Sequence, residues 1–145
     1  MIYLDTSALI KLYIRESGSE DVQNWVASQD DPLPVWELQE MELVNALYLK
    51  VFWKDISLRD AETQIDLFRK RQDKGYYVHP DFDRLSWVEM FFRVCRATPE
   101  LGSRTLDIQH VACACLLDPD AFISYDERQR NLATKLNLPV LPKVL

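Results

Sequence analysis

Short apolar runs that lead into helix-like segments are the feature that most constrains the fold of this chain. Residues 2–5 have the character of a buried strand, and residues 6–16 follow with a helical spacing of apolar side chains that Gly18 ends. The same alternation returns late in the chain, at residues 121–125 and 126–136. Repeated strand–helix crossovers favour parallel strands covered by helices. The sequence therefore predicts an α/β fold, a three-layer sandwich whose short, mostly parallel central sheet is flanked by about seven helices.

The rest of the chain fits this architecture. Further helices are predicted at residues 19–28, 37–53, 57–74, 83–96 and 107–117, further short strands at 33–36, 76–78 and 139–141, and a polar turn at 98–102. No repeat, low-complexity tract or linker interrupts these elements, and 145 residues are enough for one self-sufficient core. We therefore expect a single domain spanning residues 1–145.

Composition narrows the possible partners and the compartment. The net charge of −6 does not attract nucleic acid to the surface as a whole, so RNA binding would need a local basic rim or a bound cation. No apolar run approaches the ~20 residues of a membrane span, and no basic stretch precedes an apolar one at the start, so we expect a cytoplasmic protein without membrane attachment. Cys95, Cys113 and Cys115 lack zinc-type spacing and are expected to be reduced, buried thiols.

Three aspartates occupy comparable places in this pattern. Asp5 and Asp126 each close an apolar run that precedes a helical segment, and Asp107 opens the apolar helix at 107–117. In an α/β fold the strand ends that lead into helices line one edge of the sheet, where ligands bind. Taken singly, each aspartate is also a plausible helix N-cap. Taken together, the three favour a shared site.

Glu42 is the fourth candidate, because it lies among apolar residues of the helix at 37–53, whereas Glu37 and Glu40 are expected to be solvated. An acid beside a buried face needs a partner. Two carboxylates about 4 Å apart repel by roughly 4 kcal/mol at an effective dielectric constant near 20, so a cluster of them requires protonation or a divalent cation. Oxygen ligands without cysteine or paired histidine favour Mg²⁺ or Mn²⁺ over zinc.

Four segments resemble, in order, the motifs of the PIN-domain ribonucleases, in particular the VapC-type toxins of type II toxin–antitoxin systems. They are Leu4–Tyr13, the helical glutamate motif Glu42–Leu47, the third acidic motif Arg104–Ala112 with its arginine and histidine, and Phe122–Arg128. The fourth motif departs from the family in having Ser124 where threonine is frequent. Each motif is short, but four in the family's order, from the first strand to the last, make the resemblance specific.

The resemblance implies a PIN-like fold and an endoribonuclease that needs Mg²⁺ or Mn²⁺ and leaves a 5′-phosphate and a 3′-hydroxyl. Its acidic cluster would consist of Asp5, Glu42, Asp107 and Asp126. Asp5 and Asp107 would lie closest to the metal, and Glu42 could help remove a proton from the attacking water. The implied partners are an RNA substrate, a small antitoxin whose tail covers the acids, often with an arginine, and a second copy of the chain in a homodimer.

Several neighbours of the acids are candidates for auxiliary roles toward the substrate. They are Thr6, Ser7, Ser124, Arg104 and Arg128. The serine hydroxyls could hold phosphate or metal-bound water, or they could serve only as caps and turn formers. The two arginines could hold an acid or a substrate phosphate, or they could simply be solvated. His110, one helical turn beyond Asp107, is expected to be a packed helix residue rather than a catalytic base.

Two other functions are possible for such a chain. A PIN-fold binding module without a competent site would act through protein partners, but the four acids disfavour it because each would repel the others without a cation. A phosphatase with an aspartyl nucleophile would need a second aspartate two positions after Asp5, where the chain has Ser7. The phosphatase is therefore disfavoured as well.

Overall fold

The computed structural model describes residues 1–144 and confirms the predicted α/β alternation. The elements are β1 (Ile2–Leu4), α1 (Thr6–Leu9), a 3₁₀ turn (Ile10–Leu12), α2 (Ser19–Ala27), β2 (Leu33–Pro34), α3 (Glu37–Phe52), α4 (Leu58–Asp73), β3 (Tyr77–Val78), α5 (Arg84–Cys95), α6 (Thr98–Leu101), α7 (Thr105–Leu117), β4 (Ala121–Ile123), α8 (Glu127–Lys135) and β5 (Val140–Leu141). This part of the chain thus contains eight α-helices, close to the predicted number.

The chain divides into two compact units. Unit 1 is built from Met1–Ser7 together with the residues from Asp81 onward, and unit 2 is Ala8–Pro80. Unit 1 therefore takes its first strand from one end of the chain and its remaining strands from the other. The single domain expected for residues 1–145 stays a prediction.

Unit 1 is organised around a three-stranded parallel sheet in the order β1–β4–β5. Tyr3 is in register with Phe122, and their fully buried rings stack with centroids 5.5 Å apart. The strands are short and apolar throughout, as expected for parallel strands that are covered on both faces. Because β1 and β4 run parallel, their carboxyl ends lie at the same edge of the sheet. The residues that follow them, Asp5 and Ser124, are within hydrogen-bonding distance.

Unit 2 contains the two-stranded parallel sheet β2–β3 and the packed helices α3 and α4. Ser57 caps α4, since its hydroxyl accepts the Asp60 amide at 3.1 Å. The inward face of α4 consists of Ala61, Ile65 and Phe68, all buried. The ring of Phe68 stacks on Tyr77 of β3 at 5.2 Å between centroids, which joins the helix to the small sheet.

The first helix is much shorter than the predicted segment 6–16. α1 ends at Leu9 and the backbone tightens into the 3₁₀ turn. Lys11 is 7% exposed, and its Nζ donates to Glu16 Oε1 at 2.8 Å and to the Ser17 carbonyl at 2.7 Å. Residues five and six positions apart do not face each other along an α-helix, so the chain must fold back before Glu16 for these contacts to form.

A second difference lies just before the third acidic motif. The stretch predicted as a turn forms α6, which has Pro99 in its first turn and is capped by Gly102, whose φ is +62°. α7 then begins at Thr105, and Arg104 occupies its N-cap position. The alternative interpretation of Asp107 as an N-cap is therefore wrong, because Asp107 is the third residue of the helix.

Two further predictions concern the membrane and the thiols. Within residues 1–144, none of the helices combines the length and the hydropathy that crossing a membrane requires.

Cys113 is buried, Cys95 and Cys115 are half-buried, and all three thiols are free. Burial raises the pKa of Cys113 to about 12, although a hydrogen bond with Tyr3 opposes the shift. Cys113 is therefore the inert, reduced thiol that the sequence predicts, whereas the other two are less buried than expected.

Candidate acidic site

Asp5 is the most buried of the four predicted acids. It directly follows β1, its side chain is fully inaccessible to solvent, and its amide donates to the Ile123 carbonyl at 3.1 Å. Ser7 Oγ donates to Asp5 Oδ1 at 2.6 Å, and Ser124 Oγ donates to Asp5 Oδ2 at 2.5 Å. Both bonds are shorter than the distance of about 2.7–2.8 Å that is usual for O–H···O hydrogen bonds. They fix the orientation of both carboxylate oxygens.

The two serines are themselves fixed by the backbone after β4. Ser7 Oγ accepts the Tyr125 amide at 2.8 Å, and Ser124 Oγ accepts the Asp126 amide at 3.1 Å. Each hydroxyl therefore receives one hydrogen bond from this loop and donates one to Asp5. The acid after the first strand and the loop after the fourth strand thus form one rigid element, although they are far apart in the sequence.

Asp126 follows this loop and caps α8, one of the roles that its sequence position allows. Its Oδ1 accepts the amides of Arg128 at 2.8 Å and Gln129 at 3.2 Å. Its Oδ2 lies 3.6 Å from Arg104 Nη2, and the side chain is one-third exposed. Asp126 is therefore both a cap and the partly accessible acid of the network.

Arg104 joins Asp126 to Asp107. Its backbone amide and its Nε donate to Asp107 Oδ2 at 3.0 and 3.1 Å, and its Nη2 donates to Asp107 Oδ1 at 3.2 Å. The Asp107 carboxylate is 1% exposed, whereas the arginine side chain is 57% exposed. A bidentate guanidinium is the strongest neutralising partner that a protein side chain offers to a buried carboxylate.

His110 packs inside unit 1, as predicted. It is fully buried, its Nδ1 lies 2.9 Å from the Tyr3 hydroxyl, and its Nε2 lies 3.4 Å from Thr6 Oγ1. The hydroxyl of Thr6 thus faces α7, so the threonine next to Asp5 and the histidine one turn after Asp107 are in contact. Both ring nitrogens of His110 are engaged by hydroxyl groups, which suits a structural role.

The remaining two predicted residues are placed differently. Arg128 lies in the first turn of α8 with an exposed side chain, and its contact with the network is the amide bond to Asp126. Glu42 lies in the middle of α3, within unit 2, and is half-buried beside the fully buried Leu43. Unit 1 therefore brings together three of the four predicted acids, and the participation of Glu42 stays a prediction.

The donor chemistry of this network suits a hard divalent cation. Its acceptors are carboxylate and hydroxyl oxygens, the ligands that Mg²⁺ and Mn²⁺ prefer. In the described residues, however, no group of three or more histidine, cysteine, aspartate or glutamate side chains is close enough together to hold a metal ion. Arg104 and the serine hydroxyls reduce the repulsion among the acids. The sequence analysis expects a cation or protonation in this role and does not predict internal hydrogen-bond donors.

The contacts of Lys11 are a finding that the sequence did not predict. In unit 2 its partner Glu16 also accepts Lys50 Nζ at 3.0 Å, through Oε2. A lysine among the apolar residues of the first motif gives no sequence signal of burial.

A cavity of about 550 Å³ also lies in unit 2, lined in part by Arg71, Tyr76 and Tyr77, and it includes none of the predicted acids.

Comparisons with known proteins show the fold. The sequence matches no protein-family model and no curated protein. The chain is similar to the crystal structure of FitAcB from Neisseria gonorrhoeae, with a TM-score of 0.65 and 14% sequence identity over 98% of this chain and 97% of that chain. The chain has a PIN-like fold. This confirms the fold that the four motifs implied.

Proposed function

We propose that this protein is the toxin of a toxin–antitoxin pair and acts as a Mg²⁺- or Mn²⁺-dependent endoribonuclease. The observation that carries the proposal is the placement of Asp5, Asp107 and Asp126 in one network of unit 1, which hydrogen bonds and the Arg104–Asp126 ion pair hold together. Asp5 and Asp107 are buried acids, and burying acids costs stability. Acids buried at such a cost cluster at functional sites, which favours a function for these two. The similarity to the crystal structure of FitAcB supports the PIN-like fold on which this proposal builds.

Each residue of the network has a task in this mechanism. Asp5, Asp107 and Asp126 would hold the cation, with Glu42 completing the set. A bound divalent cation supplies a polarised phosphate oxygen and an activated water at neutral pH. Ser7 and Ser124 keep both oxygens of Asp5 in a fixed orientation, which removes the need to reorganise the carboxylate during the reaction.

The positive side chains beside the acids would receive the RNA backbone. The Arg104 guanidinium is more than half exposed, and Arg128, two residues after Asp126, is also exposed. Both can donate to phosphate oxygens, which a planar guanidinium binds in bidentate fashion. Together they form the local basic rim that an overall acidic chain requires for binding RNA.

RNA cleavage by the purified protein tests the proposal. With Mn²⁺ present, the wild type should cut RNA, and Asp5→Asn should lower the rate by more than about 100-fold, since even changes to residues that only orient metal ligands cost roughly 10–100-fold. Asp81→Asn removes an exposed carboxylate of unit 1 and is the matched control. Cleavage that survives Asp5→Asn unchanged, or that proceeds equally with excess chelator, contradicts the assignment.

A second candidate function is favoured by one observation. No assembled metal-holding group is present within residues 1–144, and Arg104 already neutralises Asp107, so a PIN-like binding module without activity would also be stable. Thermal melting distinguishes the two functions because a ligand that binds only the folded state raises the midpoint. A rise with millimolar Mn²⁺ that Asp5→Asn abolishes supports the nuclease, whereas no rise in either protein supports the binding module.

The surface of unit 2 supports a protein partner. Met41, Tyr48 and Phe52 are 62%, 44% and 77% exposed along one side of α3. We expect an antitoxin with a basic inhibitory segment, and a homodimer is the family's usual assembly. Size-exclusion chromatography with light scattering, on the chain alone and after co-expression with a candidate antitoxin, measures both.

A further inference from the structure

The guanidinium of Arg104 is positioned to take the place of a cation in the acidic network. It reaches both oxygens of the buried Asp107 and approaches Asp126 at 3.6 Å, so one positive group serves two carboxylates. A divalent cation held by these two acids would bind the same carboxylate oxygens. A divalent cation on these oxygens would lie close to the guanidinium and would repel it.

The geometry lets the side chain leave without loss of the acid's position. The Arg104 backbone amide donates to Asp107 Oδ2 independently of the guanidinium, and this bond belongs to the start of α7. The side chain is 57% exposed, so its charge can move into water at small desolvation cost. Release of the guanidinium would leave Asp107 Oδ1 available, while the backbone bond keeps Oδ2 in place.

We infer that Arg104 is a built-in competitor of the divalent cation: it neutralises Asp107 and Asp126 in the metal-free protein, and metal binding expels it. The inference rests on the proposed function, since it concerns the same acids. It predicts that removing the guanidinium strengthens metal binding. The opposite prediction follows if Arg104 serves only to hold Asp107 in its productive orientation.

Calorimetric titration with Mn²⁺ alone, without RNA, tests this inference on the full chain. Arg104→Ala and Arg104→Gln should each bind Mn²⁺ roughly tenfold more tightly than the wild type, which corresponds to about 1.4 kcal/mol. Arg96→Ala removes an exposed arginine of the same unit and should leave the affinity unchanged. Arg104→Gln keeps a hydrogen-bonding side chain, so it provides the measurement if the alanine variant unfolds.

A second readout follows the arginine itself. In the metal-free protein the Nε–H resonance of Arg104 should be protected from exchange with water, because it donates to Asp107. Addition of Mg²⁺, which does not broaden the spectrum, should remove that protection. Arg104→Lys identifies the resonance by its disappearance.

The outcomes separate the inference from the proposed function. Tighter Mn²⁺ binding by both neutral variants, with loss of protection at Arg104, supports the competitor. Equal or weaker binding by these variants, in a wild type that binds Mn²⁺, overturns the competitor and leaves the nuclease proposal standing. No binding by the wild type or by any variant overturns both.

Discussion

Both units bury charged side chains, but they neutralise them in opposite ways. In unit 1 the network joins three carboxylates, those of Asp5, Asp107 and Asp126, to serine hydroxyls and the Arg104 guanidinium. In unit 2 the Glu16 carboxylate receives two ammonium groups, from Lys11 and Lys50. The first network therefore has more negative than positive charge, and the second has more positive than negative charge.

The difference indicates which network is built for a ligand. Glu16 receives a cation at each oxygen, and Lys11 directs a further hydrogen bond to the Ser17 carbonyl, so the unit 2 network acts as a structural clamp on the turn after α1. In unit 1 neutral hydroxyls compensate the buried Asp5, and an exposed guanidinium compensates Asp107. Compensation by neutral donors leaves net negative charge that an added cation can neutralise.

The largest expected effect on stability is at Lys11. Lys11→Ala removes a buried aliphatic stem and two charge-assisted hydrogen bonds, so we expect a loss of about 3 kcal/mol in the free energy of unfolding. Lys11→Met keeps the stem and should cost less than half as much. Urea denaturation followed by circular dichroism measures both. Lys70→Ala, an exposed lysine of the same unit, is the control and should stay within about 0.5 kcal/mol of the wild type. A Lys11→Ala loss no larger than that of the control would refute the clamp.

Ser124 should have the next largest effect. Ser124→Ala deprives a fully buried carboxylate oxygen of Asp5 of a donor and the Asp126 amide of an acceptor, which should cost about 2 kcal/mol in the same denaturation assay. Ser86 makes the equivalent hydroxyl–carboxylate contact to Asp83 on the exposed start of α5. Ser86→Ala should therefore cost only about 0.5 kcal/mol. If the two serine variants lost the same stability, burial of Asp5 would not be what makes its network strong.

Local patterns predicted much of the fold and less of the site. The strand before Asp5 and the start of α4 at Ser57 can be predicted because a short apolar run and a helix start each involve neighbouring residues. The Ser124–Asp5 bond joins residues 119 positions apart, and it depends on the register of β1 against β4, which no local pattern specifies. Arg104 was recognised as a candidate from its motif. Arg104 contacts two acids because α7 begins at Thr105, two residues before Asp107. The sequence predicts that this helix begins only at residue 107.

The smallest effect is expected at Glu16, and it depends on pH. Although burial acts to raise it, the hydrogen bonds from Lys11 and Lys50 lower the pKa of Glu16 below its ordinary value of 4.5. A carboxyl whose pKa is lowered by folding stabilises the protein fully above its unfolded pKa, and this contribution is lost as the pH falls through the folded pKa. Glu16→Gln should therefore cost on the order of 1 kcal/mol near neutral pH, and the difference from wild type should shrink below about pH 4.5.

Urea titrations at about pH 7 and about pH 3 measure this difference, because these pH values lie above and below the unfolded pKa of the carboxyl. Glu100 pairs with Lys135 at 2.8 Å, with both side chains about half exposed or more, so Glu100→Gln is the matched control and should have little effect at either pH. A Glu16→Gln loss of equal size at both pH values would mean that the side chain acts through packing rather than charge. The unit 2 network would then be no clamp between opposite charges, and its contrast with the acids of unit 1 would disappear.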